Sequence, residues 1–204
     1  MWGSNIGVFE VFLGVEGVPR DLMERIKLLL DPPQPIVPKI KEPWAAVTII
    51  LTDAEGLFKV LMIKRRARQG DPWSGHVAFP GGFYLSSDVD TLTTALREVA
   101  EEVGINIEPE SVVGMLNVAS PVNRPEVKVA PYVAYLEKEP LTKPGIEVEE
   151  VFWAPLKGLR REKVKVDSVY GVLEVEAFKH GSHIIWGLTA RLLNELLNKL
   201  APLL

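Results

Sequence analysis

The chain has 204 residues, nearly half of them hydrophobic and a quarter charged, with no cysteine and a formal net charge of −4. That length and apolar fraction suit one domain with a sizeable core, while the mild acidity argues against a nucleic-acid partner, and the missing cysteines exclude disulfides, zinc–thiolate sites and cysteine nucleophiles. No apolar run approaches the roughly 18 residues of a membrane span, and residues 1–20, apolar but carrying Glu10 and Glu16 with no basic leader, do not read as a signal peptide, so the expectation is a soluble cytoplasmic protein without a membrane partner.

Residues 19–31 place Leu22, Ile26, Leu29 and Leu30 at helical spacing, with Pro19 near the start. Five prolines follow within residues 31–43 and mark an extended connector. The expected organisation is a single domain, 1–204, in which 1–43 form an N-terminal arm and helix with a Pro-rich connector that separates them from a core at 44–204.

The core opens with two β-branched runs, WAAVTIILTD and LFKVLMIKR, separated by AEG, which read as a hairpin. GHVAF is a further short strand before the PGG turn. Residues 91–103, TLTTALREVAEEV, form the best helix in the chain, stopped by Gly104. SVVGMLNVAS, KVAPYVAYLEK and EEVFWAPL read as strands, and residues 163–186 as strands with turns at Tyr170-Gly171 and His180-Gly181. GLTARLLNELLNKLAPLL is an amphipathic C-terminal helix whose ending is more apolar than a free surface favours, which points to packing on a partner subunit, as in a homodimer. Strands on both sides of a central helix, with helices at both ends, give an α/β or α+β layered domain.

On the central helix, Leu92, Ala95, Leu96, Val99 and Val103 form one apolar stripe, and Glu98, Glu101 and Glu102 gather on another face. Like charges at such spacing cost about 0.2–0.5 kcal/mol a pair, and acids in the last turn oppose the helix dipole at about 0.3–1 kcal/mol each. A bound hard cation reverses the sign of both effects. Mg²⁺ takes one or two carboxylates, waters and phosphate oxygens, and the glycines of 79-FPGG-82 bring a bare backbone close to the same point. The spacing therefore reads as a divalent-metal site, with Arg97 pairing or orienting a neighbouring acid.

The run Arg97, Glu98, Val99, Glu101, Glu102, Gly104, Ile105 resembles the second half of the signature box of the Nudix hydrolases. From Gly82 to Arg97 the spacing is one residue longer than the general pattern, and Asp88 stands where the isolated glutamate is usual. This longer form is similar to the coenzyme A diphosphatase branch. The preceding motif of that branch is matched by Leu61, Arg65, Gly75 and 79-FPGG-82, with Ile63 and Arg66 replacing its Thr and Ser and Asp71 in place of its second Arg. The likeness runs over about residues 44–200. It implies a Nudix-type α/β/α sandwich with a central mixed sheet and a loop–helix–loop motif. It also implies Mg²⁺- or Mn²⁺-dependent cleavage of the diphosphate in coenzyme A or a related nucleoside diphosphate derivative, a small-molecule nucleotide substrate. Alternatives are ADP-ribose, another nucleoside diphosphate derivative or a nucleoside triphosphate as substrate, or a non-catalytic nucleotide-binding module. By position, the resemblance makes Glu98, Glu101, Glu102 and the carbonyl of Gly81 metal ligands, and Glu98, Glu101 and Arg97 the catalytic set, with Glu98 polarising the water.

Arg65, Arg66 and Gly82 are candidates for gripping substrate, since Arg forks suit phosphate. Alternation puts Arg65 and Arg66 on opposite faces, and Arg68 shares the run. Glu147 and Glu150, with Glu149 between, are candidates for an additional acid from the loop before VFWAPL. His76 reads as a structural or surface residue near the turn, His180 and His183 as turn residues, and Trp153 and Trp186 as core or rim aromatics.

Overall fold

Alternating side chains of one strand feed two separate cores. In β1 (Trp44–Thr52), Ile49 and Leu51 enter one apolar cluster while Trp44, Ala46 and Ile50 enter another, as the pleat of a strand requires. Strand β2 (Lys59–Arg65) divides the same way, Val60 and Met62 against Leu61 and Ile63. This computed structural model describes residues 21–39, 42–70, 73–168 and 171–204. The readings of residues 1–20, of Asp71 and of Tyr170 in the turn before Gly171 fall outside the described residues.

Among the described residues, three α-helices flank the sheet: α1 (Leu22–Leu29), α2 (Thr91–Val103) and α3 (Gly187–Leu200). Ile26 of α1 and Leu192, Leu193, Leu196 and Leu200 of α3 pack on the first face. Ala95, Val99 and Val103 of α2 pack on the second. The result is the expected α/β/α layering. No helix among the described residues is long and apolar enough to cross a membrane.

The central sheet adds β3 (Val77–Ala78), β4 (Gly81–Phe83), β5 (Val112–Met115), β6 (Lys128–Tyr135) and β7 (Val148–Pro155). It is mixed: β1 runs parallel to β6, and its other pairings are antiparallel. A second, three-stranded sheet holds β8 (Arg160–Ser168), β9 (Gly171–His180) and β10 (His183–Ile185). Their separation from the main sheet was not readable from local pattern.

One expectation changes. The segment SVVGMLNVAS is a strand only to Met115, with a single further bridge from Ala119 to Val129. The Pro-rich segment itself lies against the core. Residues 31–39 run along the edge strand β5 to the start of α2: the Met115 amide donates to the Asp31 carbonyl (2.9 Å), the Thr91 amide to the Ile36 carbonyl (2.9 Å), and the Tyr132 hydroxyl to the Gln34 carbonyl (2.9 Å). Prolines lack the amide that would compete for such contacts, and the segment covers an otherwise open sheet edge. The apolar C-terminal ending turns back on its own core, burying Leu200 and Leu203 while Leu204 stays exposed.

Candidate active site

The site begins where β1 and β2 diverge. They share only the pairs Leu51–Val60 and Thr52–Lys59, and residues 77–83 fill the fork between them. Val77 and Ala78 pair with β2, and Gly81–Phe83 pair with β1, so FPGG is the crossing from one strand to the other. Thr48 donates its amide to the Pro80 carbonyl (2.8 Å) and Tyr84 its amide to the Trp44 carbonyl (2.9 Å). Hydrogen-bonded positions alternate in an antiparallel pair, so the amides and carbonyls of Gly81 and Phe83 face away from β1. There the Gly81 amide donates to Glu102 Oε2 (2.9 Å), and the Phe83 carbonyl accepts from Arg97 Nη2 (3.3 Å). The carbonyl of Gly81 is turned to the same side.

Both glycines are required by contact. A Cβ at Gly81 would overlap the backbone of Ala46 and Val47, and one at Gly82 would overlap the carboxylate of Glu98. Helix α2 presents that carboxylate because Asp90 caps its start, Oδ1 accepting from the Thr93 amide at 2.8 Å, and Gly104 ends it with φ 71°.

The three glutamates occupy different environments. Glu102 is buried at 5% exposure, and that burial pushes its carboxyl up to about 7, with Arg65 Nη1 at 3.8 Å from Oε1. Glu98 is also raised, chiefly by burial, against the lowering effect of its bond from Arg97 Nη1 (2.8 Å). Glu101 is exposed and receives the same Nη1 at 3.2 Å. Sequence placed all three on one face; the approach of β4 decides which are dry.

Arg97 is the hub. Its Nε and Nη2 fork onto Asp88 at 3.0 and 3.1 Å. Asp88 is buried and also accepts from Thr94 Oγ1 (2.8 Å) and the Leu85 amide (3.1 Å). Burial raises the Asp88 carboxyl, but the bonds from Arg97, Leu85 and Thr94 outweigh it and hold it below its ordinary range. Asp88 is the site residue that reading the sequence left without a role. Its signal was an acid at the box's isolated position, nine residues before an arginine.

The loop before β7 docks on the C-terminal end of α2. The amides of Lys143 and Gly145 donate to the carbonyls of Val103 and Glu102, both at 2.9 Å, closing helix carbonyls that lack internal partners. Arg66 holds this loop: Nε donates to the Ile146 carbonyl and Nη2 to the Val148 carbonyl, both at 3.0 Å. Those two donors, Nε and Nη2, serve the loop. Glu147 pairs with Arg68 Nη1 (2.7 Å) and lies near enough to raise the carboxyls of both Glu98 and Glu102. Glu150 is directed elsewhere, to His183 Nε2 at 3.0 Å, and Glu149 to Lys64 Nζ at 2.6 Å. His183 stacks on Phe152 with ring centres 3.9 Å apart, and His76 meets Trp186 at 4.7 Å.

The donor set suits a hard divalent ion: carboxylate oxygens from one helix face, a carbonyl turned to the same side, and dry carboxyls whose charge an ion would compensate. Among the described residues no three acids or histidines already converge as ligands. Arg97 draws Glu98 and Glu101 onto one nitrogen, Nη1, while its Nε and Nη2 stay on Asp88.

A family profile described as the NUDIX domain matches residues 42–171. The human protein named mitochondrial coenzyme A diphosphatase NUDT8 is 34% identical over 164 residues, covering 78% of this chain and 70% of that one. The mouse protein of the same name is 33% identical, covering 78% of each. An uncharacterised Nudix hydrolase NudL of Photorhabdus laumondii is 29% identical over 86% of this chain and 94% of its own. A crystal structure of a MutT/nudix family protein from Enterococcus faecalis superposes over 98% of this chain and 76% of its own, with a TM-score of 0.58 at 21% identity, a likeness of fold. With the domain match covering most of the chain and the box residues assembled on α2, the chain belongs to the Nudix hydrolases.

Proposed function

We propose that this Nudix hydrolase cleaves the diphosphate of coenzyme A or a closely related nucleoside diphosphate derivative, using Mg²⁺ or Mn²⁺ held by Glu98, Glu101, Glu102 and the Gly81 carbonyl. The observation that carries the reading is the pairing of Glu98 with Gly82: a half-buried carboxylate set against a side-chain-free turn, with two more acids beside it on α2. The coenzyme A assignment is supported by the named activity of the mammalian relatives and by the long Gly82-to-Arg97 spacing with Asp88.

A divalent cation bound here supplies charge neutralisation on the phosphoryl oxygens and a more acidic bound water. The chain's own residues do the rest. Glu98, raised by burial, takes the proton of the attacking water as the water oxygen bonds to phosphorus and the bridging P–O bond breaks. Arg97 orients Glu98 through Nη1 while its other edge is fixed on Asp88. Arg65 faces Glu102 and is the arginine of the run best placed to meet a substrate phosphate. Glu147 is the additional acid the loop brings within electrostatic reach of Glu98. With coenzyme A the products are phosphopantetheine and adenosine 3′,5′-bisphosphate.

The test is a substrate panel with Mg²⁺ or Mn²⁺: coenzyme A, an acyl-coenzyme A, ADP-ribose, NADH and a nucleoside triphosphate. Preferred turnover of coenzyme A or its acyl form is expected. Turnover of ADP-ribose or a triphosphate alone would overturn the coenzyme A assignment and leave the hydrolase.

A further inference from the structure

Beyond Gly82, the pleat turns the Phe83 side chain to the sheet face opposite Glu98. Phe83 pairs with Ala45, and Ala45 and Val47 on that face are only half-buried, so the helical layer leaves this end of the sheet open. Phe83 is 42% exposed. Trp73, from the loop before β3, stands 6.4 Å from it between ring centres, tilted by 47°. Arg124, from the loop between β5 and β6, places its guanidinium carbon 5.8 Å from the centre of the Trp73 ring, and its Nε donates to Glu126 at 2.7 Å.

A lone exposed phenylalanine needs no explanation. This one sits one residue past the glycine that accommodates Glu98, and its own carbonyl is bound by Arg97. Two aromatic rings and a guanidinium from three segments converge on the far side of the strand crossing from the hydrolytic carboxylates, tied to them through the Phe83 backbone. The Arg–Trp contact and the Glu126 bond hold the guanidinium in one orientation. Arg has five N–H donors, and Glu126 engages only Nε, so the Nη edge can meet an anion.

We propose that Phe83, Trp73 and Arg124 form the subsite for the nucleoside half of the substrate, the base lying against the Phe83 ring and the Nη edge of Arg124 meeting a phosphate on the ribose. Trp73 braces both. The inference rests on the reading that the substrate is a nucleoside diphosphate derivative, and it names where that nucleoside sits.

The experiment compares wild type with Phe83→Ala, Phe83→Trp and Arg124→Ala. Kinetics are measured on coenzyme A and its 3′-dephospho form, and binding of adenosine 3′,5′-bisphosphate is followed by calorimetry. Base stacking lost on truncation predicts about a tenfold or larger rise in KM for Phe83→Ala with kcat nearly unchanged, and recovery in Phe83→Trp. Arg124→Ala should lose its discrimination between coenzyme A and the dephospho form. Wild-type KM in both alanine variants, with coenzyme A turned over normally, would overturn the subsite and leave the diphosphatase reading intact. If wild type hydrolyses only ADP-ribose, the coenzyme A reading fails, and the subsite then stands or falls on whether Phe83→Ala raises the KM for ADP-ribose. If nothing is hydrolysed, bisphosphate affinity decides: weakening by about tenfold in Phe83→Ala supports the subsite, and no change overturns it.

Discussion

The carboxylate of Glu98 fills the volume in which residue 82 would carry a side chain. Two elements distant in shape, a strand crossing and a helix face, thereby share one space. Gly82→Ala is expected to push Glu98 off its position and to cut kcat/KM by about 100-fold, the loss typical of an ångström of misplacement in an active site. The melting temperature should move only a few degrees, because the glutamate is the far end of a flexible side chain. Near-normal kcat/KM in a folded Gly82→Ala protein would refute the shared-volume argument.

Asp88 receives the Arg97 fork, the Thr94 hydroxyl and the Leu85 amide in a buried position. Asp88→Asn leaves Arg97 half-partnered and should lower stability by about 2–4 kcal/mol in urea denaturation. It should also lower kcat, since Arg97 then no longer fixes Glu98. An unchanged urea midpoint would show that the network contributes no net stability.

Glu102 gives the metal-free protein a pH-dependent stability. Its carboxyl rises from an ordinary 4.5 to about 7 on folding, so between those values the folded state holds the proton that the unfolded state has lost. Stability contributed by the neutral form is therefore full below about pH 4.5 and lost as pH rises through about 7, a change on the order of 3 kcal/mol. Asp88, held low, acts in the opposite sense: its contribution is present above about pH 4 and lost below it, so the two windows do not overlap. In EDTA, Glu102→Gln should reduce the decline between pH 5 and 8 and exceed wild type in stability at pH 8, the remaining slope belonging to Glu98, which burial also raises. A wild-type slope in that variant would assign the decline to other groups.

Adding millimolar Mg²⁺ or Mn²⁺ at pH 8 should raise the melting temperature of wild type, because an ion that binds only the native state stabilises it by mass action. The rise should shrink in Glu102→Gln and in Glu98→Gln. A flat melting temperature across the titration in wild type contradicts the assignment of these acids as ligands.

Glu147 and Glu150, three residues apart in sequence, should separate in kinetics. Glu147 is felt at Glu98 and Glu102, whereas Glu150 is paired with His183. Glu147→Gln is expected to lower kcat by about tenfold or more, the scale of a supporting acid at a metal or base, and Glu150→Gln to stay within about twofold. The reverse order would move the additional acid to Glu150.

What could be read from the sequence was local. The apolar stripe of α2, its Gly104 stop and the clustering of Glu98, Glu101 and Glu102 all follow from a period of 3.6 residues. The β1–β2 hairpin follows from two β-branched runs around a short turn. Arg66 shows where such reading ends. Alternation set it apart from Arg65, but its partners are carbonyls some 80 positions away. The same holds for the Pro-rich segment, whose composition predicts extension and is silent about what it lies on.

The sequence by itself determined the chemistry available: three acids on one helix face, an arginine within reach, and glycines ahead of them. Only the tertiary structure decided their states. The crossing of residues 77–83 between diverging strands buries Glu102, half-buries Glu98 and leaves Glu101 in water. The reason is physical. Helical spacing is fixed by bonds within a few residues, whereas the free energy of a carboxylate depends on which distant segment excludes water from it.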